Sequence, residues 1–147
     1  MELFYSREII SGSLVLDGEE SNHCIRVLRH REGDVINIID GCGTLYECEI
    51  TCADAKAVAF RILERRPGYG AHPYVLQMAV APPKNIDRFE WFAEKATEIG
   101  VDEITPLSGD YSLRRDFRSD RIGRILVSAA KQSHKAAVPM LAEAVDV

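Results

Sequence analysis

The turn-rich stretch at residues 67–73, with the sequence PGYGAHP, most constrains how this chain can fold, because it separates two different hydrophobic patterns. Before it, apolar and polar residues alternate, for example over Tyr46–Ile50, and such alternation is typical of half-buried strands. After it, strand-like and helix-like stretches follow one another. The change predicts an α+β protein in two parts, residues 1–68 and residues 73–147.

The first part is predicted to be a half-buried sheet or a small β-barrel with one helix. Strands at Val35–Ile39 and Thr44–Cys48 flank residues 40–43, whose sequence DGCG supplies glycines that tolerate the positive φ of a hairpin turn. A helix is predicted to begin at Asp17, whose side chain can cap its first turn, and to run to about Leu28.

This predicted helix has two contrasting faces. At about 100° per residue, Cys24, Val27 and Leu28 share an apolar face that packs against the barrel. The polar and basic face comprises His23, Arg26 and His30, with Asn22 and Arg29 beside them. The helix therefore presents a candidate cationic patch to the surface.

The second part has a predicted strand–helix–strand–helix order. The elements are a buried strand at Tyr74–Val80, a helix at Ile86–Ile99 closed by Gly100, a strand at Glu103–Leu107 and a helix from about Ser119 to Lys135. This order predicts parallel strands with right-handed crossovers, the first two βα units of an α/β domain. Two parallel strands do not complete such a domain, so we expect either a truncated chain or a fold that a partner completes.

The helix predicted at Ile86–Ile99 has an apolar arc and a charged one. The apolar arc comprises Ile86, Phe89, Phe92, Ala93, Ala96 and Ile99. Trp91 projects from the other side beside Arg88 and Lys95, where it is suited either to a subunit interface or to stacking on a base. A solvated charged face is the alternative for the basic residues.

The distribution of charge is more informative than its sum. The chain has 18 basic and 23 acidic residues, so its net charge is −5. Seven basic residues lie between positions 111 and 135, namely Arg114, Arg115, Arg118, Arg121, Arg124, Lys131 and Lys135. The last four form a positive stripe on the final predicted helix. This stripe favours binding of phosphate groups, with plain solvation or pairing with an acidic surface in a dimer as alternatives.

Several classes of protein are disfavoured. The four cysteines form no C-x-x-C pair, so we expect reduced thiols in the core or in a turn, and no metal. The histidines form no evident triad, and no hydrolase or dehydrogenase motif occurs. No apolar run is long enough to span a membrane and no signal peptide is recognisable, which favours a cytoplasmic protein.

Ordered motifs along the chain resemble those of the bacterial ribosomal RNA small-subunit methyltransferase E family, of the SPOUT class. In the first part they are HCIRVLR at residues 23–29, GD at 33–34 and DGCG at 40–43. In the second part they are KNIDRFE at 84–90, KATEIGV at 95–101, Ile104 with Pro106, and QSHK at 132–135 with Pro139. The resemblance implies a PUA-like barrel followed by the start of a SPOUT α/β-knot domain.

The resemblance also implies a function: transfer of a methyl group from S-adenosylmethionine to N3 of a uridine in 16S ribosomal RNA of the small ribosomal subunit, by a homodimer. The RNA-binding residues that we expect are His23, Arg26, Arg29, Lys84, Arg88, Arg121, Arg124, Lys131, Gln132 and Lys135. Cofactor-binding residues are expected to be absent from this chain, because the family's Gly-Pro-Glu-Gly-Gly segment does not occur before Val147. Catalytic residues are likewise expected beyond Val147.

Three departures from the family pattern concern basic residues. The family's N-terminal arginines are missing from residues 1–4, and Tyr111 stands at a position that is usually basic. Lys135 replaces an arginine, which keeps the charge but loses the bidentate donor geometry. Because the cofactor-binding segment is absent from this chain, a non-catalytic RNA-binding or ribosome-assembly module stays open as an alternative function.

Overall fold

A computed structural model describes residues 1–108 and 119–146. The chain divides into two compact units. Unit 1 comprises Met1–Ala71 together with His134–Ala137, and unit 2 comprises His72–Ser133 together with Val138–Val147. Unit 1 contains a mixed sheet and unit 2 a parallel sheet flanked by helices, so the predicted α+β class is confirmed.

Unit 1 is built on a four-stranded sheet in the order β1-β2-β3-β4. Its strands are β1 at Leu3–Tyr5, β2 at Val35–Ile39, β3 at Thr44–Cys52 and β4 at Ala59–Pro67. Its helical segments are a 3₁₀ turn at Arg7–Ser11, α1 at Gly18–Asn22 and a π-helical turn at His23–Val27. Leu16 donates a backbone hydrogen bond to Val58, and Phe60 of β4 donates one to Leu14, so the segment before α1 runs beside β4.

One face of this sheet carries the core of unit 1. Phe4, Leu16, Ile38 and Ile50 are buried there together with Cys24 and Cys48, among others. Burial raises the pKa of the Cys24 thiol to about 11 and that of the Cys48 thiol to about 12, so both stay protonated at neutral pH. The prediction that these cysteines act as small apolar residues is confirmed.

The predicted hairpin is confirmed, and a buried carboxylate organises its turn. The Asp40 side chain accepts hydrogen bonds from the backbone N–H of Cys42 at 2.7 Å and of Thr44 at 3.1 Å, and from the hydroxyl of Tyr46 at 3.1 Å. Gly41 has a φ of 81°, and a Cβ there would lie 2.9 Å from a ring carbon of Tyr5. Both the backbone conformation and the space therefore require glycine.

The helix predicted at Asp17–Leu28 begins as expected but changes type. The Asp17 side chain accepts the N–H of Glu20 at 2.8 Å, which caps α1. From His23 onward the backbone is π-helical, with the N–H of Leu28 donating to the carbonyl of His23. The wider turn rotates later side chains away from an α-helical register. Val27 is consequently 60% exposed, and its predicted burial was wrong.

The parallel sheet of unit 2 has the order β5-β6-β7, with β8 also pairing with β6. The strands are β5 at Gln77–Val80, β6 at Glu103–Ser108, β7 at Met140–Leu141 and β8 at Val145–Asp146. The predicted strand at Tyr74–Val80 is shorter than expected, because its ladder begins only where Gln77 meets Glu103. Tyr74 and Val75 precede that ladder and are exposed, so the prediction of a buried strand was wrong there.

Helix α2 spans Ile86–Ile99 as predicted, capped by Asn85 and ended by Gly100 in a left-handed conformation. Phe89, Ala93 and Ala96 are buried and Trp91 faces outward, as expected. Ile99 is 74% exposed, which contradicts its predicted place in the core. It lies in the last turn, at the edge of the apolar arc. None of the helices in the described part of the chain is long and apolar enough to cross a membrane.

Helix α3 spans Ser119–Gln132 and ends before Lys135, so the predicted end of this helix was wrong. His134 has a φ of 56°, a left-handed conformation that no α-helix contains. We call residues His134–Ala137 the return segment, because they belong to unit 1. The N–H of Gly43 donates to the carbonyl of Ala136, and the N–H of Ala136 donates to that of Tyr69, both at 3.2 Å.

The return segment covers a second apolar cluster of unit 1. Ala136 is fully buried there against Leu3, Ile39 and Leu45. These side chains would face water if the return segment were displaced. Unit 1 therefore depends on residues that follow α3 in the sequence.

We predict that Ala136→Asp lowers the free energy of unfolding of unit 1 by about 3 kcal/mol or more, because it buries a charge without a partner. Ala137→Asp is the matched control, since Ala137 is the exposed neighbour in the same segment. Urea denaturation followed by circular dichroism measures both variants. Equal stability of the two would contradict the structural role of Ala136.

Candidate nucleic-acid interface

A cationic patch lies on unit 1, on the π-helical turn and the residues that follow it. Arg26 and Arg29 are exposed, and no ion pair is recorded for either one within residues 1–108 and 119–146. Arg29 has a φ of 59°, so it turns the chain out of the helix. Arg31 is also exposed and extends the patch. Free guanidinium groups of this kind suit phosphate oxygens.

The histidines beside this patch each face a carboxylate. His23 Nε2 lies 3.3 Å from an oxygen of Glu2, and His30 Nδ1 lies 3.1 Å from an oxygen of Asp34. Both imidazole rings approach the ring of Phe4, with centroids 6.1 Å away. Since carboxylates already engage the histidines, the arginines supply most of the positive charge of the patch.

Asp34 organises the turn that carries Arg31. Its carboxylate accepts the Arg31 backbone N–H at 2.9 Å and contacts His30. The hydrogen bond from the Arg31 backbone, followed by that from His30, holds the pKa of Asp34 below its ordinary value of 3.8. The turn is therefore tightened by a charged acceptor.

Lys84 and Arg88 lie at the start of α2 in unit 2. Both side chains are exposed, Lys84 just before the capping residue Asn85 and Arg88 in the first turn. The N-terminal end of a helix adds partial positive charge to such a pair. The carboxylate of Asp87, in the same turn, reduces this positive charge.

The positive stripe predicted from Arg121 to Lys135 is wrong as a continuous feature. Arg121 makes two hydrogen bonds to the carboxylate of Glu90, which α2 contributes, and this contact raises the pKa of the guanidinium. Arg124 is 79% exposed, with Asp120 at 3.9 Å. Lys131 and the exposed Gln132 lie in the last turn of α3, and Lys135 lies in the return segment.

The sequence pattern of α3 alone could not reveal the acidic side chain that α2 places beside it. Glu90 stands 31 positions before Arg121 in the sequence, and only packing of α2 on α3 brings them together. Three further basic residues of the predicted stretch, Arg114, Arg115 and Arg118, lie outside the described residues, as does Tyr111. Among the basic residues of α3, Arg124 is the most exposed to a ligand.

One exposed arginine on the barrel belongs to none of the sequence motifs. Arg65 in β4 lies over the ring of Tyr46, with its guanidinium carbon 5.9 Å from the ring centroid. Two strands separated in sequence form this contact, so no local motif signals it. Within the described residues, no group of three or more His, Cys, Asp or Glu side chains is placed to hold a metal ion.

Both parts of the chain match known protein families. The family described as an RNA methyltransferase domain matches residues 71–147, and the RNA methyltransferase PUA domain matches residues 16–63. The chain belongs to the RNA methyltransferase family. The resemblance inferred from the sequence motifs is thereby confirmed.

Curated relatives of this family carry a common name. The ribosomal RNA small subunit methyltransferase E of Bacillus subtilis is 28% identical over 130 residues, which cover 84% of this chain and 50% of that protein. The protein of the same name from Mycobacterium bovis is 30% identical over 131 residues, covering 85% and 49% respectively. The chain thus spans about half the length of these curated relatives.

Solved structures of RNA methyltransferases share the fold. A probable rRNA-methyltransferase from Porphyromonas gingivalis superposes with a TM-score of 0.90 at 34% identity, over 99% of this chain and 61% of that one. The ribosomal RNA small subunit methyltransferase E of Neisseria gonorrhoeae, bound to S-adenosyl methionine, gives 0.83 at 24% identity, over 99% and 62%. The predicted fold, a PUA-like barrel followed by βα units of a SPOUT methyltransferase domain, is confirmed.

We predict that Glu90→Ala and Arg121→Ala each destabilise the chain and that the double variant loses less stability than the sum of the two. The reason is that both substitutions remove the same pair of hydrogen bonds. Urea denaturation of a double-mutant cycle measures this coupling. The control cycle combines Glu90→Ala with Arg124→Ala, since Arg124 faces Asp120. Additive effects in both cycles would show that the contact between Glu90 of α2 and Arg121 of α3 does not stabilise the chain.

The stability contributed by Asp34 is predicted to depend on pH. Because folding lowers its pKa, this contribution is present above pH 3.8 and is lost as the pH falls through the lower folded value. Asp34→Asn should therefore be less stable than the unmodified chain above pH 3.8, and the gap should close in stronger acid.

His30→Gln is the matched variant for Asp34, because it leaves the main stabilising contact, the Arg31 backbone hydrogen bond, in place. It should retain most of the pH-dependent stability. Urea midpoints measured across the acid range test both variants. A gap for Asp34→Asn that does not change with pH would rule out this role of the carboxylate.

Proposed function

We propose that the whole protein transfers a methyl group from S-adenosylmethionine to N3 of a uridine in 16S ribosomal RNA, acting as a homodimer on the small ribosomal subunit. The observation that carries the proposal is the match of both parts of the chain, in order, to the PUA and catalytic domains of RNA methyltransferases. The curated relatives named ribosomal RNA small subunit methyltransferase E support the class of substrate. Such a substrate would place the protein in the cytoplasm.

The described residues suit the task of docking RNA. Arg26 and Arg29 on unit 1 and Arg88 and Arg124 on unit 2 are exposed, and each guanidinium can donate two hydrogen bonds to a phosphate. Phosphate contacts fix the register of a nucleic acid without reading its sequence. We infer that these arginines hold the RNA while residues outside this set act on the base.

The chemistry explains why docking matters. N3 lies on the Watson–Crick edge of uridine, so the target base must be unpaired and held in the open. N3 also carries a proton that must leave as the new bond forms, which makes the orientation of the base the main requirement. When bound, S-adenosylmethionine supplies an electrophilic methyl group.

One pocket among the described residues of unit 1 is too small for this donor. It has a volume of about 150 Å³ and is lined by residues of the 3₁₀ turn and its neighbours, including Tyr5, Arg7 and Asp17. Pockets for drug-sized ligands measure roughly 300–1,000 Å³. We therefore assign no cofactor-binding residue to this pocket.

Binding of 16S ribosomal RNA tests the docking role. The affinity of the 147-residue chain should fall steeply with salt, and replacing Arg26 and Arg29 with Gln should make the log–log slope shallower by about 1.5. Arg61→Gln is the control, because Arg61 is already paired with Glu49. An unchanged slope in the double variant would show that the cationic patch on unit 1 does not contact the RNA.

Methyl transfer by the protein encoded in the complete reading frame tests the reaction. Incubated with labelled S-adenosylmethionine and small subunits that lack the modification, it should yield N3-methyluridine, detected by mass analysis of nucleosides from 16S RNA. The new methyl group blocks Watson–Crick pairing, so reverse transcription should stop at the modified base. RNA binding without any incorporation would favour a non-catalytic ribosome-assembly module instead.

A further inference from the structure

Three arginines of strand β4 differ in how they are engaged. Arg61 makes two hydrogen bonds of 3.2 Å to the carboxylate of Glu49, and Arg66 lies 3.2 Å from Glu47 and 3.6 Å from Glu64. Arg65 is exposed, and no ion pair is recorded for it among residues 1–108 and 119–146. Its recorded contact is the ring of Tyr46.

The ring of Tyr46 is a rigid support. Tyr46 is buried, and its hydroxyl donates to the carboxylate of Asp40 at 3.1 Å. Burial and the nearby Asp40 raise the pKa of Tyr46, so the hydroxyl keeps its proton and remains a donor at neutral pH. Asp40 is itself fixed by the backbone N–H groups of the hairpin turn.

This support restricts the guanidinium without consuming its donors. The cation–π contact attracts the guanidinium to the ring without pairing its charge with a carboxylate. Limiting the motion of the side chain reduces the entropy lost when a ligand binds. Arg65 is thus held near the ring and keeps its charge available for an anion.

A second cation lies at the same end of the barrel. Burial raises the pKa of Tyr5, whereas the exposed Arg7 lowers it and Asp40 and Cys42 raise it, so these groups lie near one another. Asp40 is the buried acid at this end, and its oxygens already accept hydrogen bonds from two backbone N–H groups and from Tyr46.

We propose that Arg65 binds a phosphate of the RNA substrate and that Asp40 and Tyr46 are positioning residues for it. The proposal rests on the proposed function, because the anion is taken to be ribosomal RNA. Arg65 would thus be an RNA contact in addition to the cationic patch on unit 1, at a residue that lies outside the sequence motifs.

The test compares binding of 16S ribosomal RNA by variants of the 147-residue chain. Arg65→Gln should weaken binding about fivefold and make the salt slope shallower by about 0.8, the loss of one phosphate contact. Arg61→Gln, an already paired arginine on the same strand, should leave both quantities unchanged. Arg65→Lys should recover the slope but only part of the affinity, since lysine keeps the charge without the planar donor edge.

Variants of Tyr46 separate positioning from charge. Tyr46→Phe keeps the ring but loses the hydrogen bond to Asp40, so it should lower the affinity in part. Tyr46→Leu should lower the affinity to the level of Arg65→Gln. Adding Arg65→Gln to Tyr46→Leu should then have no further effect, because the same contact is already lost. Circular dichroism confirms that each variant is folded, and the Arg65 variants decide the question if Tyr46→Leu does not fold.

Two outcomes overturn the proposal and are distinguishable. If Arg65→Gln binds like the unmodified chain while the Arg26 and Arg29 double variant is weakened, Arg65 is no RNA contact and the proposed function stands. If the unmodified chain does not bind 16S RNA in low salt, the docking role fails together with this inference.

Discussion

The hairpin end of the barrel depends on the hydrogen bonds that the carboxylate of Asp40 accepts. A buried charge is tolerated only when its acceptor sites are filled, and here two backbone N–H groups and a phenol fill them. The same contacts set the turn between β2 and β3 and fix the ring that supports Arg65. Loop geometry, strand pairing and the orientation of a surface cation therefore share one cause.

The return segment attaches to this same turn. The N–H of Gly43 donates to the carbonyl of Ala136 in this segment, and Gly43 lies in the turn that Asp40 holds in place. Gly43 has a φ of 116°, a conformation that favours glycine. Ala136 then fills a space that a larger side chain would not fit without rearrangement, since it is fully buried among three aliphatic side chains. The small side chain and the turn are therefore matched.

Much of the fold could be predicted because local signals agreed with it. The DGCG turn, the cap at Asp17 and the Asn85 and Gly100 ends of α2 are decided within a few residues. The failures have longer-range causes. The π-helical register that exposes Val27 and the left-handed His134 that ends the final helical stretch both reflect packing that no short pattern encodes.

The candidate interface was predictable only in part, for a similar reason. Arg26 and Arg29 could be found because they lie within and just after one short helical stretch, where both are exposed. The engagement of Arg121 by Glu90 and the support of Arg65 by Tyr46 depend on pairs of distant elements. Charge counted along a sequence therefore identifies basic residues, but not which of them are free to bind phosphate.

The place of the return segment in unit 1 also bears on the order in which the chain folds. During synthesis, Leu3 and Leu45 emerge long before Ala136, with residues 72–133 made in between. Until then one apolar face of the barrel is exposed on the nascent chain. Contacts between such distant positions slow folding and leave intermediates prone to aggregation. The barrel of this chain can therefore close only late in translation.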